Sequence, residues 1–164
     1  MTKLNARLES ESIVRRYTAV ALLTGALPVP AASAAIVAEQ AVMFTHVAAI
    51  YGADVSFGTV LASMGGTATL NTVGRALFVE GMRWINATFA AGMATPLVSA
   101  LGATTAGVQT WLLGQLAVAI AENGGNPLPE VAAKAVLERA RVAFEAIDWT
   151  AETDALGASA ERSA

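Results

Sequence analysis

Apolar and polar positions along the chain follow a helical period almost throughout, and the pattern breaks at proline and glycine. Residues 3–26 read as a first helix. Its first half is polar, with Lys3, Arg7, Glu9, Glu11, Arg15 and Arg16, and its second half turns apolar from Tyr17. Pro28 and Pro30 stop it, because each lacks an amide hydrogen and clashes with the preceding turn, so Leu27-Pro28-Val29-Pro30 is expected to form an elbow. A second helix is predicted over 31–52, where Ile36, Met43, Val47 and Ile50 recur at helical spacing and Gly52 offers a C-terminal cap. Ser56 is placed to cap a short helix over 56–64, which Gly65-Gly66 closes. A helix over 68–93 carries Arg75, Glu80 and Arg83 as its charges. Thr95-Pro96 opens the next helix, which runs to about Asn123. The last helix starts near Pro129, with Glu130, Lys134, Glu138, Arg141 and Glu145 recurring on its water-facing side. The pattern predicts an all-α fold, a multi-helix bundle of Ala/Gly-rich helices with a proline elbow. One helical domain would cover 1–149, with a flexible C-terminal tail over 150–164.

Composition adds a complication to that picture. Hydrophobic residues make up 55% of the chain and charged ones 14%, against roughly 25% charged in an average soluble domain. The 22 residues between Arg16 and Glu39 carry no charge, nor do the 38 from Trp84 through Ala121. Each run is long enough for the roughly 20 residues that span a bilayer. Arg15, Arg16, Trp84 and Trp111 suit an interfacial level, where basic heads and indole rings meet lipid headgroups. The prolines interrupt the first run, while Gln109, Gln115, threonines and glycines dilute the second. A membrane-inserted hairpin is therefore expected in place of straight spans. Ser99, Ala103, Ala106, Thr110, Gly114 and Ala117 form a helix-packing stripe of small residues that lets another backbone come close. The same stripe would serve tight packing inside a water-soluble bundle, and periodicity does not choose between the two.

Candidate chemistry is sparse. The net charge is −3 without a basic run, which points away from nucleic acid. Cysteine is absent, so thiol catalysis, disulfides and thiolate metal sites are excluded. There is no Walker-type loop, and Gly65-Gly66-Thr67 reads as a helix break. The acids Glu9 and Glu11 close behind Lys3 and Arg7 make the N-terminus a poor secretion signal. His46 is the single histidine and shares a helix face with Glu39, seven residues earlier. One imidazole and one carboxylate fall short of the four ligands of a structural metal site. A polar cluster of Glu39, His46, Arg75 and Arg83 that fixes helix register is the stronger expectation. No catalytic, cofactor or metal residue is assigned, and the chain reads as a non-enzyme.

Leu27-Pro28-Val29-Pro30, the helix end Ala48-Ala49-Ile50-Tyr51-Gly52 and the later Thr110-Trp111-Leu112-Leu113-Gly114 together resemble the DUF697 family of YcjF-like proteins, over roughly 15–125. The acidic residue expected in that family just after the prolines is missing from Ala31-Ala32-Ser33-Ala34-Ala35. The resemblance implies an all-helical, membrane-associated module and a GTPase partner. The leading expectation is thus a membrane-associated helical module that scaffolds, senses or remodels a lipid bilayer, at a bacterial inner membrane, as a homo-oligomer. The competing one is a soluble, cytoplasmic, oligomeric helical binding protein that buries its Ala/Gly-rich faces between subunits or around an apolar ligand.

Overall fold

Local chemistry sets the helix ends. Thr2 Oγ1 accepts from the Asn5 amide at 3.3 Å and opens the first helix, and Ser56 Oγ accepts from the Thr59 amide at 3.2 Å to open the third. Asp148 Oδ1 accepts from the amides of Thr150 and Ala151, at 3.1 and 3.3 Å, ahead of the last. Gly52, Gly124 and Gly125 take φ of 61°, 71° and 80°, the left-handed region that ends a helix at little cost in glycine. In the turn that follows the fourth helix, Asn123 and Asn126 each donate a side-chain amide to the other's carbonyl, at 3.2 and 3.1 Å.

The computed structural model describes residues 2–26, 31–64 and 97–161. Six helices lie among them: α1 (Lys3–Gly25), α2 (Ala31–Tyr51), α3 (Phe57–Ser63), α4 (Leu97–Glu122), α5 (Glu130–Ala146) and α6 (Trp149–Glu161). The described residues contain no strand. The proline elbow, the glycine pair at 65–66, the helix expected over 68–93 and the Thr95-Pro96 opening lie outside the described residues.

The hub is α4, which packs against α1, α2, α3 and α5, while α6 lies on α1. Glycine makes the closest of these approaches possible. A Cβ at Gly114 would fall 2.5 Å from Val14 Cγ1, and one at Gly107 would fall 2.7 Å from Leu22 Cγ. Those two contacts run α1 and α4 antiparallel. Val14, Met43, Phe44, Val47, Leu116 and Ile120 are essentially sealed from water and form the centre of the core. Phe57 of α3 meets Phe44 edge-on, ring centroids 4.8 Å apart. On the other side of α4, Trp111 donates its indole N–H to the Ala140 carbonyl of α5 at 2.7 Å. Trp149 stands edge-on to Trp111 at 5.6 Å.

These contacts correct the membrane expectation. No described helix is long and apolar enough to cross a membrane. The uncharged run that suggested an inserted hairpin is in large part α4, and its apolar surface is covered by α1, α2, α3 and α5 of the same chain. A helix that is apolar around its whole circumference is either a buried core helix or a span, and composition alone does not separate them. Here the small residues of α4 are spent on letting α1 close in. The membrane-inserted hairpin, the lipid bilayer as a partner and the inner-membrane location are withdrawn with it. Residues beyond Trp149, expected as a flexible tail, continue as α6 through Glu161 because Asp148 caps them and Arg15 of α1 pairs with Glu152 at 3.5 Å.

Candidate functional site

Glu39 and His46 sit two turns apart on the side of α2 that faces α1, and each takes its own partner there. Thr24 Oγ1 donates to Glu39 Oε1 at 3.2 Å. The Tyr17 hydroxyl lies 3.1 Å from His46 Nδ1, with the two rings 5.8 Å apart and tilted. Glu39 Oε2 and the Thr18 hydroxyl are buried without a hydrogen-bond partner among the described residues. Arg75 and Arg83, the other members of the expected cluster, lie outside the described residues, as does Trp84. Glu39 and His46 therefore do not converge on one point. Among the described residues no three His, Cys, Asp or Glu side chains come close enough to hold a metal ion.

The small-residue stripe of α4 lies against α1 and α2. Ala106, Thr110 and Ala117 are buried, Ala103 is half-buried, and Gly114 meets Val14 and Met43; Ser99 lies in the first turn of the helix. Thr110 is fully enclosed and accepts from Gln40 Nε2 at 3.1 Å. Gln40 flanks Glu39 in sequence, and this buried α2–α4 pair is the polar link that the sequence reading did not single out. Trp111, expected at an interface with lipid, is 3% exposed and locked between α5 and α6. Its N–H has a protein carbonyl to satisfy it, so no headgroup is needed. Arg15 and Arg16 are exposed on α1, and Arg15 is engaged with Glu152.

A second polar set ties together one end of the bundle. Arg7 pairs with Glu11 at 3.1 Å and with Glu122 at 3.5 Å, and the Tyr51 hydroxyl donates to Glu122 Oε1 at 3.4 Å. The hydrogen bond to Glu11 and the charge of Glu122 raise the Arg7 pKa above its ordinary value. Burial, then the negative charge of Glu122, pushes the Tyr51 phenol up. Such exposed pairs contribute little stability individually, about 0–1 kcal/mol.

Packing leaves the outer half of α2 open, as it does Leu4, Leu8 and Leu23 on α1 and Val131 and Val142 on α5. Ala38, Val42, Thr45 and Ala49 run along its exposed centre, flanked by Val37 and His46. Val37 keeps 52% and Val42 47% of its surface in water. The Thr45 hydroxyl is turned back onto the Ala41 carbonyl at 3.1 Å. No charged residue occupies this half of the helix. The exposed side of α5 differs in its charges, for there Val131 and Val142 stand among ion pairs from Lys134 to Glu130 and from Arg141 to Glu138 and Glu145.

The chain matches no known family model, no curated protein and no solved structure. The resemblance to the DUF697 family is thereby overturned, and the GTPase partner that it implied falls with it. Two of the three short segments behind it end in glycines that local structure accounts for, since Gly52 ends α2 and Gly114 receives Val14; the proline segment lies outside the described residues.

Proposed function

We propose that the protein is a non-enzymatic helical binding module that assembles with further copies of itself through the outer face of α2. The observation behind this reading is an exposed helical half-cylinder that carries valines and alanines and no charge. A helix that faces water normally sets charged residues opposite its buried stripe, and contiguous exposed apolar surface marks interaction sites. From Ala35 to Ala49, at 1.5 Å per residue, the exposed strip is about 20 Å long. Alanines at its centre allow two such helices to approach closely. Antiparallel pairing about a two-fold axis brings the same strip together from both copies, so one surface serves both sides. The face lacks the charge pattern that would select a different, charged partner.

Light scattering coupled to size exclusion, over a range of protein concentrations without detergent, tests the assembly. The expected result is a defined mass above that of one chain, and dissociation in Val42→Glu, which places a charge at the centre of the face while keeping a strong helix former. Burying that unpaired carboxylate should weaken association by roughly tenfold or more. A wild-type protein that stays a monomer at tens of micromolar, or a Val42→Glu variant of unchanged mass, rejects the proposal.

A further inference from the structure

Between α1, α4 and α5 the surface opens into a cleft of about 470 Å³. Its volume falls within the roughly 300–1,000 Å³ of small-molecule sites. Half-buried Val136 and Ile147 give it an apolar lining, to which Trp111 and Val118, 3% and 2% exposed, add only an edge. Arg7, Arg15 and Arg139, with Glu11, Glu122 and the Gln115 amide, supply its polar groups. The charges there are unequally committed. Glu11 and Glu122 share Arg7, and Arg15 is held by Glu152 from α6. Arg139 donates from Nε to the Ala135 carbonyl at 3.2 Å and has no carboxylate partner among the described residues. Arg139 thus offers a guanidinium fork with no carboxylate on it, beside an apolar wall. The wall is fixed as well, since the residue after Arg139 accepts the Trp111 indole hydrogen bond that joins α5 to α4.

We infer that this cleft binds a small amphipathic organic anion, with a carboxylate, sulfonate or phosphate on Arg139 and an apolar body against Val136 and Ile147. A guanidinium presents paired N–H donors that match the oxygens of such a head group. Burying the apolar body contributes affinity through surface removed from water.

The probe is anilinonaphthalene sulfonate, titrated by fluorescence and calorimetry into the folded full-length chain, beside the neutral phenylnaphthylamine that lacks the sulfonate. One saturable equivalent is expected, with the neutral analogue bound at least about tenfold more weakly. Arg139→Gln, an exposed change that keeps the helix, should lower sulfonate affinity by a similar factor and leave the neutral analogue unaffected. Ala143→Phe, on the exposed wall of the cleft, should abolish binding of both, and circular dichroism verifies that each variant is folded. Equal affinity for the two probes, absence of saturable binding, or binding unchanged in both variants overturns the inference. The last result would place the probe on another apolar surface, such as α2.

Discussion

Substituting alanine for Gly114 asks whether the contact between α1 and α4 is as close as the structure draws it. Alanine is the better helix former, and in an open helix interior the exchange would stabilise by about 1 kcal/mol. Here the new methyl would fall 2.5 and 2.9 Å from the two Val14 methyls and 3.2 Å from Met43 Sδ. Val14 has no exposed surface and, being β-branched, has little rotamer freedom inside a helix, so it does not swing aside. Overpacking of this kind costs about 1–3 kcal/mol, and the net expectation is a loss of about 1 kcal/mol. Val14→Ala alone should cost about 2 kcal/mol, from the lost methyl burial and the cavity left behind. In the double variant the methyl at 114 occupies the vacated space, so the combined loss should fall short of the sum by about 1–2 kcal/mol. Urea titrations followed by far-UV circular dichroism, at fixed protein concentration, read all four corners of this cycle. A Gly114→Ala protein more stable than wild type, together with strict additivity in the double variant, would refute the packing argument.

Gly52 and Gly125 both hold positive φ, but only Gly125 is crowded: a Cβ there would lie 2.6 Å from the Asp54 carbonyl oxygen, whereas Gly52 has nothing within 4 Å. Gly52→Ala should therefore cost about 1–2 kcal/mol for the left-handed backbone alone, and Gly125→Ala clearly more; equal losses in thermal unfolding would show that the Asp54 contact is not made. In a Tyr17→Phe background, which leaves Tyr51 as the remaining tyrosine of two, phenolate absorbance should rise with a midpoint above 10, because burial and Glu122 oppose ionisation. By linkage the Tyr51 contribution to stability is present below pH 10 and lost as pH rises through the folded value. A midpoint at or below 10 would contradict the burial of the phenol beside Glu122.

Helix identity was the legible part of this chain. Ser56, Gly52 and the Asn-Gly-Gly-Asn turn announce ends through chemistry that acts within a few residues, and the structure uses each of them. The cap at Asp148 was equally local, but the polar, alanine-rich residues after it resemble an unstructured tail until Glu152 reaches Arg15 from across the sequence. What covers α4 was not legible. Its apolar circumference demands a dry environment without specifying lipid, a second chain or its own neighbours, and the answer depends on contacts such as Leu22 on Gly107. Trp111 illustrates the same limit: an indole suits a headgroup or a buried carbonyl, and the acceptor proved to be Ala140, 29 residues away. Glu39 and His46 do share a face, as spacing requires, yet Thr24 and Tyr17 on α1 draw them to separate partners.

Alanine-rich helices offer smooth, repetitive surfaces on which several alignments bury similar apolar area. The hydrogen bond from Gln40 to Thr110 breaks that degeneracy, because both groups are sealed from solvent. Sliding α2 by a single turn would strand a primary amide and a hydroxyl in a dry seam, at about 1–3 kcal/mol for each unmet group. The pair thus works as a detent, admitting one setting of two otherwise slippery helices.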